Sequence, residues 1–209
     1  MSQATCAAVA AWLANYASTI GEHSQELTDL DREIGDADHG FNMERGMKAV
    51  AALDVSQFGD APAYLKKVGM TLVSTVGGAA GPLYGTLFLR MAGAIPADAP
   101  LDTAGFAAGL RAGLDGLAAR GKSAVGDKTM VDALTPAVES LETSAADHIA
   151  LAQALPSAAE AARQGRDSTI DMVARRGRAS YLGERSVGHL DPGAASTTML
   201  LESAAATLT

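Results

Sequence analysis

The fold and the candidate site both follow from one stretch of sequence, Leu30-Asp31-Arg32-Glu33-Ile34-Gly35-Asp36-Ala37-Asp38-His39-Gly40-Phe41-Asn42-Met43. It contains three aspartates within eight residues, between a predicted helix that Gly35 ends and another that begins near Phe41. Carboxylates on such a turn can converge on one point, where they repel each other unless a cation lies between them. Oxygen ligands without cysteine suit Mg²⁺ or Ca²⁺ better than zinc, and Mg²⁺ usually completes its shell with water and phosphate. The stretch is therefore compatible with a metal site that bridges to phosphate.

A second interpretation of this stretch stays open. Short Asp-rich turns are common between helices, where Asp and Asn cap helix ends in contact with solvent, and this turn does not follow the EF-hand pattern. The helix after His39-Gly40 favours a phosphate site, because the N–H groups at a helix start attract anions. From spacing alone, both a metal-phosphate site and a solvated capping turn are consistent with the residues.

Length and composition indicate one domain spanning residues 1–209, since 48% apolar content is ample for a core. The 16 basic and 24 acidic residues give a net charge of −8, which argues against nucleic acid or an anionic membrane as a partner. The single Cys6 excludes an internal disulfide and suits a reducing compartment. No apolar run reaches transmembrane length and no signal-peptide pattern is present. We therefore expect a cytoplasmic protein.

Apolar residues recur at three- and four-residue steps through most of the chain, which is the period of a helix with one buried face. The first such face consists of Val9, Trp12, Leu13, Tyr16 and Ile20. No stretch has a convincing strand pattern, and we predict about eight helices joined by short turns. We expect proline and glycine to kink, delay or interrupt two of these helices, at Pro136 and at Pro156 or Gly165.

Four Gly- and Asp-rich turns, at residues 31–42, 77–82, 121–130 and 177–193, are each about two helices apart. In an up-and-down array successive turns alternate between the two ends, so turns two helices apart fall at the same end. The turn at 77–82 opens a helix with Pro82 predicted at its first position, and its amides could approach an anion, although close helix packing also explains the glycines. The long turn at 177–193 is predicted to be an ordered lid.

The turn at 121–130 precedes a predicted helix that runs through Met130 and Leu134. A nucleotide base could lie against these two side chains. Alternatively, both side chains belong to the hydrophobic core, which is the usual location of Met and Leu.

Taken together, these turns closely resemble the ADP-binding (nucleotide-binding) subunits of dihydroxyacetone kinases. The similarity covers residues 30–40, 77–85, 126–130 and 177–193 and continues in order over nearly the whole chain. Members of that family are all-α proteins, eight-helix antiparallel up-and-down barrels with the nucleotide site in the loops at one end. The resemblance implies that two Mg²⁺ ions are held by Asp31, Asp36 and Asp38. It implies that ADP or ATP is surrounded by His39, Gly40, Phe41, Asn42, Ala79, Ala80, Gly121, Met130, Arg178, Asp191, Pro192 and Gly193.

The resemblance also implies an activity. The chain would be a phosphotransferase subunit of glycerol metabolism that transfers a phosphoryl group from its nucleotide to dihydroxyacetone held on a ketone-binding partner subunit. Arg178 would be its catalytic residue, and a phosphotransferase-system carrier would recharge the nucleotide. The sequence departs from the family at Ala80, where members often have Ser, so we expect one weakened phosphate contact.

Two alternatives to this function remain. The chain could exchange ADP for free ATP and serve a kinase of another short ketose. It could also be a nucleotide-loaded regulatory module that reports to a transcription regulator. The resemblance further allows a homodimer.

Overall fold

The structure, a computed structural model, describes residues 2–208. Within these residues the chain forms α-helices and short 3-10 helices, without a strand. The α-helices are α1 (Ser2–Glu22), α2 (Ser24–Ile34), α3 (His39–Ala51), α4 (Ala61–Thr75), α5 (Ala80–Ala94), α6 (Thr103–Gly121), α7 (Met130–Ala146), α8 (Leu151–Ser168) and α9 (Pro192–Thr207). The 3-10 helices cover Val55–Gln57, Thr169–Asp171 and Arg178–Ser186.

Eight of the helices close into a ring. Each helix from α3 to α8 packs against the next one along the chain, and α1 packs against both α3 and α9. The short helix α2 lies against α3 and α9. The prediction of an all-α, eight-helix antiparallel barrel is therefore confirmed.

The core is filled by the predicted helix faces. Val9, Leu13 and Ile20 of α1 are fully buried, as the periodicity predicts. Trp12 contacts aromatic rings of α5 and α6, with ring centroids 6.2 and 5.4 Å away, and its indole N–H donates to the carbonyl of Leu200 at 2.9 Å. Because the polar edge of the indole has a partner, this large side chain can be buried without a desolvation penalty.

Several helix boundaries differ from the sequence prediction by a few residues. Helix α3 begins at His39 rather than Phe41, and α5 begins at Ala80, so that Pro82 is its third residue instead of its first. Pro82 still lies in the first turn, where a missing N–H costs no intrahelical hydrogen bond. Helix α7 starts at Met130 and continues through Pro136.

Helix α8 also continues through both positions at which an interruption was predicted, Pro156 and Gly165. Gly165 instead permits close packing. A Cβ atom there would lie 2.1 Å from the carbonyl oxygen of Asp132 in α7. In the part of the chain that the structure describes, no helix is both long enough and apolar enough to cross a membrane.

Candidate functional site: a cavity at one end of the barrel

The four Gly- and Asp-rich turns meet around one cavity, which we call the loop-end cavity. Helices α3, α5, α7 and α9 begin at this cavity, whereas α2, α4 and α6 end there. Residues from all four turns line it, as the alternation of turns in an up-and-down barrel predicts. The polar groups of seven helix ends are thereby concentrated in one place.

Three carboxylates converge at one side of the cavity. Asp31, Asp36 and Asp38 each offer an oxygen atom, and these three atoms lie within 4.8 Å of one another. Asp31 is buried at the end of α2, and its Oδ2 accepts the backbone N–H groups of Asp38 at 2.9 Å and His39 at 3.2 Å. A compact set of hard oxygen donors fits Mg²⁺.

The backbone around the carboxylates is specialised for this arrangement. A Cβ atom on Gly35 would lie 2.0 Å from Oδ1 of Asp31, so only glycine leaves room for that carboxylate. Ala37, between the other two aspartates, has a left-handed backbone with φ of 60°. Non-glycine residues rarely adopt this conformation, and it costs on the order of 1 kcal/mol. Such strain is typical of functional loops.

Two of the helices that begin at the cavity, α3 and α5, receive no cap from the side chain of their own N-cap residue. Among the described residues, neither Asp38 nor Ala79, the respective N-cap residues, accepts a hydrogen bond from the first turn with its side chain. The start of α5 therefore offers its partial positive charge to an anion in the cavity, whereas at α3 the carboxylate of Asp31 already accepts the N–H of His39. Helix α9 differs, because the carboxylate of Asp191 accepts the N–H of Ala194 at 2.7 Å.

His39 is held by a network of buried hydroxyl groups beneath the cavity. Its Nε2 lies 2.9 Å from Oγ of Ser196, which in turn lies 2.7 Å from the hydroxyl of Tyr84. The hydroxyl of Tyr16 donates to the carbonyl of Ser196 at 3.0 Å. Burial lowers the pKa of His39, although the carboxylates of Asp31 and Asp38 oppose this shift. His39 is therefore a neutral, fixed side chain at neutral pH.

Arg178 reaches the carboxylate cluster. It follows Gly177, which has φ of 63°, and begins the 3-10 helix of the segment between residues 172 and 191, which we call the lid segment. Its Nε lies 2.6 Å from Oδ2 of Asp36, while about two thirds of its side chain is exposed. Arg178 thus offers a positive charge beside the proposed metal ligands.

Asp191 is a half-buried carboxylate that also lines the cavity. Burial raises its pKa to about 7, and the nearby carboxylates of Asp132 and Asp31 act in the same direction. The hydrogen bond from Ala194 and the ammonium group of Lys128 oppose the shift. Asp191 therefore titrates near neutral pH in the protein without ligands.

Most of the residues proposed from the resemblance line the loop-end cavity. They are Asp31, Asp36, Asp38, His39, Asn42, Ala79, Ala80, Gly121, Met130, Arg178, Asp191, Pro192 and Gly193. Gly40 and Phe41 are not among the lining residues. A Cβ on Gly40 would lie 1.9 Å from the carbonyl oxygen of Ser24, so this glycine serves helix packing, and Phe41 is 51% exposed. Only their backbone N–H groups remain as candidates for ligand contact.

The structure also contains lining residues that the sequence analysis did not assign. An apolar wall is formed by Leu83 and Leu117 together with Met130, whereas Leu134 is fully buried in the core and does not line the cavity. Lys128 and Arg176 add positive charge to the lining. Lys128 lies within residues 126–130, one of the segments that resemble the kinase family, and this position was the only indication in the sequence that it could belong to the site. The direction of its side chain could not be predicted from the sequence.

The fold and the cavity together define a class of protein, an all-helical barrel with an acidic oxygen cluster, helix starts and apolar residues gathered around a cavity at one end. Comparison with known proteins identifies the family of the chain. A family profile described as the DAK2 domain matches residues 33–206. The chain belongs to the DAK2 domain family.

Several relatives are named as subunits of kinases. The chain is 48% identical over 192 residues to the "PEP-dependent dihydroxyacetone kinase, ADP-binding subunit DhaL" of Escherichia coli, covering 91% of each chain. It is 44% identical over 192 residues to the "PTS-dependent dihydroxyacetone kinase, ADP-binding subunit DhaL" of Lactococcus lactis, covering 91% of this chain and 92% of that one. The chain is therefore related over nearly its full length to phosphotransferase subunits.

A solved structure confirms the fold. The dihydroxyacetone kinase of C. freundii, in complex with AMP-PNP and Mg²⁺, superimposes with a TM-score of 0.73 at 24% identity. The match covers 96% of this chain and 34% of the larger protein. The barrel described here thus corresponds to one part of that kinase.

Proposed function

We propose that this chain is the ADP-binding subunit of a dihydroxyacetone kinase. It holds a magnesium-complexed adenine nucleotide in the loop-end cavity and passes the terminal phosphoryl group to dihydroxyacetone held on a separate ketone-binding subunit. The observation that carries the proposal is the convergence of Asp31, Asp36 and Asp38 beside the starts of α3 and α5. Full-length similarity to subunits of that name supports it.

In this proposal, Asp31, Asp36 and Asp38 hold two Mg²⁺ ions. When bound, the ions neutralise charge on the phosphate groups and on the phosphoryl group in transfer. The three carboxylates supply the negative charge that keeps divalent cations in place. The start of α3 at Gly40 and Phe41 and the start of α5 at Ala79 and Ala80 supply N–H groups to phosphate oxygens. His39 and Asn42 lie beside them, but their N–H groups already bond Asp31 and Asp38.

The other side of the cavity receives the nucleoside. The apolar surface of Leu83, Leu117 and Met130 suits the face of a base. Gly121, the last residue of α6, lines the cavity one helical turn beyond Leu117. Asp191, Pro192 and Gly193 form the start of α9 at the cavity wall. The base, the phosphates and the metal ions are thus assigned to separate parts of one cavity.

Arg178 is proposed as the catalytic residue. Its contact with Asp36 supports the idea that its guanidinium group can reach a phosphoryl group bound at the metal ions. Two parallel N–H donors on one rigid plane match two phosphoryl oxygens, which lowers the energy of the transition state by charge neutralisation. No covalent protein nucleophile is needed, because phosphoryl transfer depends mainly on positioning and charge.

The chain acts as half of an enzyme in this proposal. It is a single cytoplasmic domain, and its nucleotide is rephosphorylated in place by a phosphotransferase-system carrier, as the "PEP-dependent" and "PTS-dependent" names of its relatives suggest. The similarity to these subunits supports neither a homodimer nor a transcription regulator as a partner, so neither is part of this proposal.

A second candidate substrate has a specific observation in its favour. The chain is 36% identical over 201 residues to the "L-erythrulose 1-kinase" of Mycolicibacterium smegmatis, covering 93% of this chain and 34% of that protein. This chain thus resembles one part of a kinase that is named for a different ketose. That similarity fits a proposal in which the ketose binds outside the nucleotide-binding domain. Assays of the reconstituted pair with dihydroxyacetone and erythrulose would distinguish them.

The proposal is tested by Asp38→Asn and by Asp36→Asn, each of which removes one negative charge from the cluster. We expect phosphoryl transfer with the partner subunit to fall by at least about a hundredfold, because fewer carboxylates remain to hold the metal ions. Calorimetric titration with Mg²⁺ and ADP should show weakened binding independently of activity. Asp29→Asn, an exposed aspartate on α2, is the control. Full transfer by either cavity variant at limiting Mg²⁺ would contradict the metal assignment.

A further inference from the structure

Lys128 is a buried lysine whose ammonium group is bonded to the protein main chain. It lies in the loop between α6 and α7 with φ of 62°, and its side chain is 1% exposed. The Nζ atom donates to the carbonyl oxygens of His189 at 2.5 Å and Thr169 at 2.6 Å, and lies 3.5 Å from that of Ile170. Burial lowers the pKa of Lys128, while the carboxylates of Asp191 and Asp171 oppose this shift. Its N–H groups are directed at carbonyl groups rather than at a ligand.

The carbonyl groups that Lys128 holds belong to two segments that are bonded to each other. One is the 3-10 turn at residues 169–171 that follows α8, and the other is the end of the lid segment. Two further hydrogen bonds connect these segments. The backbone N–H of Gly188 donates to the carbonyl oxygen of Ile170 at 2.8 Å, and that of Asp191 donates to the hydroxyl oxygen of Thr169 at 3.1 Å. Lys128 therefore completes a junction directly before the start of α9.

The preceding residue, Asp127, holds the other end of the lid segment. Its carbonyl oxygen accepts the backbone N–H of Arg175 at 3.0 Å, and its Oδ2 lies 3.3 Å from Nε of Arg176. The same Oδ2 accepts the N–H of Ala124 at 2.9 Å, which anchors Asp127 in its own loop. Two consecutive residues thus bind both ends of the lid segment.

We propose that Lys128 is a positioning residue of the nucleotide site, which with Asp127 fastens both ends of the lid segment so that Arg178 and Asp191 face one cavity. The inference rests on the proposed function only for the identity of the ligand, magnesium-complexed ADP. A segment fastened at both ends opens rarely, and rare opening slows dissociation of an enclosed ligand. Lys128 would thereby set how long the nucleotide stays bound.

The test is Lys128→Met, which keeps an unbranched side chain and removes the ammonium group. In the nucleotide-free protein, we expect hydrogen exchange at the amides of Gly188 and Asp191 to accelerate about tenfold, with α5 unchanged. In the protein loaded with Mg²⁺ and labelled ADP, we expect dissociation to accelerate about tenfold, with little change in the association rate.

Lys122→Met is the matched control. Lys122 lies in the same loop and also has a left-handed backbone, with φ of 49°, but its side chain is exposed. We expect neither exchange in the lid segment nor ADP dissociation to change. Should Lys128→Met fail to fold, Asp127→Asn serves instead, and it should accelerate exchange near Arg176 while leaving Gly188 unchanged.

Unchanged exchange throughout the lid segment in Lys128→Met, or in Asp127→Asn where that variant replaces it, would overturn the proposal. Slower association with unchanged dissociation would also overturn it, since that result identifies Lys128 as a charge that attracts phosphate. If the unaltered protein binds no ADP, the proposed function fails, whereas the exchange measurement still decides whether Lys128 fastens the lid segment.

Discussion

At the scale of single residues, Asp31 connects the end of α2 with the start of α3. Its main-chain carbonyl accepts the N–H of Gly35 at 2.5 Å, and its side chain accepts two N–H groups from the start of α3. Removing this carboxylate would disturb the loop as well as the cluster. Asp36 and Asp38 are therefore the better positions for testing metal binding.

Arg178→Lys tests the proposed role of the guanidinium group. A lysine keeps the positive charge but cannot form two parallel hydrogen bonds to a phosphoryl group. We expect the transfer rate to fall about tenfold or more, with little change in the melting temperature of the nucleotide-free protein. Arg185→Lys, at an exposed arginine of the same lid segment, is the control. Equal rates for the two variants would show that Arg178 supplies only a diffuse charge.

Asp191 should make stability depend on pH in the protein without metal or nucleotide. Its pKa is about 7 in the folded protein, against 3.8 for an ordinary aspartate, so the unfolded chain loses the proton first as pH rises. The free energy of unfolding should therefore fall between pH 4 and 7, by about 4 kcal/mol, and level off above pH 7. Urea denaturation of Asp191→Asn, which keeps a helix-capping side chain, should lack this slope. Parallel pH curves for the two proteins would contradict the prediction.

At the scale of the helices, α7 connects the core with the cavity. Its N terminus carries a capping box, in which Asp132 accepts the N–H of Thr129 at 2.7 Å. The same side chain accepts the N–H of Gly126 at 2.5 Å. Because α8 packs directly on Asp132 through Gly165, the spacing of α7 and α8 affects the loop that carries Lys128.

Gly165→Ala tests this packing. The added methyl group would lie 2.1 Å from a carbonyl oxygen of α7, so the two helices would have to separate. We expect the free energy of unfolding to fall by about 2 kcal/mol or more, as measured by urea denaturation. Gly93→Ala in α5 is the control, since a methyl group there meets nothing within 4 Å. That change should be neutral or stabilise the protein slightly, and a comparable loss in both variants would argue against the packing role.

At the scale of the whole molecule, the barrel collects opposite charges at one end. Asp31, Asp36, Asp38 and Asp191 share the cavity with Lys128, Arg176 and Arg178, although the chain as a whole carries a net charge of −8. A nucleoside diphosphate would add further negative charge. Divalent cations at the three clustered aspartates would be needed to balance it.

Removal of Mg²⁺ should therefore release the nucleotide and lower the stability of the whole domain. A resident ligand a thousandfold above its dissociation constant adds about 4 kcal/mol to the folded state. We expect the purified protein to contain ADP, detectable by chromatography after denaturation, and a chelator to lower the melting temperature by several degrees. Excess Mg²⁺ with ADP should restore it. Little nucleotide in the preparation, with exchange within seconds in Mg²⁺, would instead favour the subunit that exchanges free ATP.

The sequence by itself determines the helices and the end of the barrel at which the candidate site lies. Apolar residues such as Val9, Leu13 and Ile20 repeat at the steps of one buried helix face, and that pattern is local. The convergence of the four turns follows from counting helices between them. The three aspartates are close in sequence, so a short loop can bring them together without help from distant segments.

Only the tertiary structure decides which side chains face the cavity. Lys128 bonds carbonyl groups 41 and 61 residues away, and no local pattern specifies that direction. Leu134 lies in the core while Leu83 and Leu117 line the cavity, because the faces exposed at a helix end depend on which neighbours cover them. Gly40 serves packing against Ser24, and the pKa of Asp191 follows from its burial near carboxylates of other helices. Periodicity specifies which face of a helix is buried, whereas contacts between segments distant in sequence specify burial depth and charge environment.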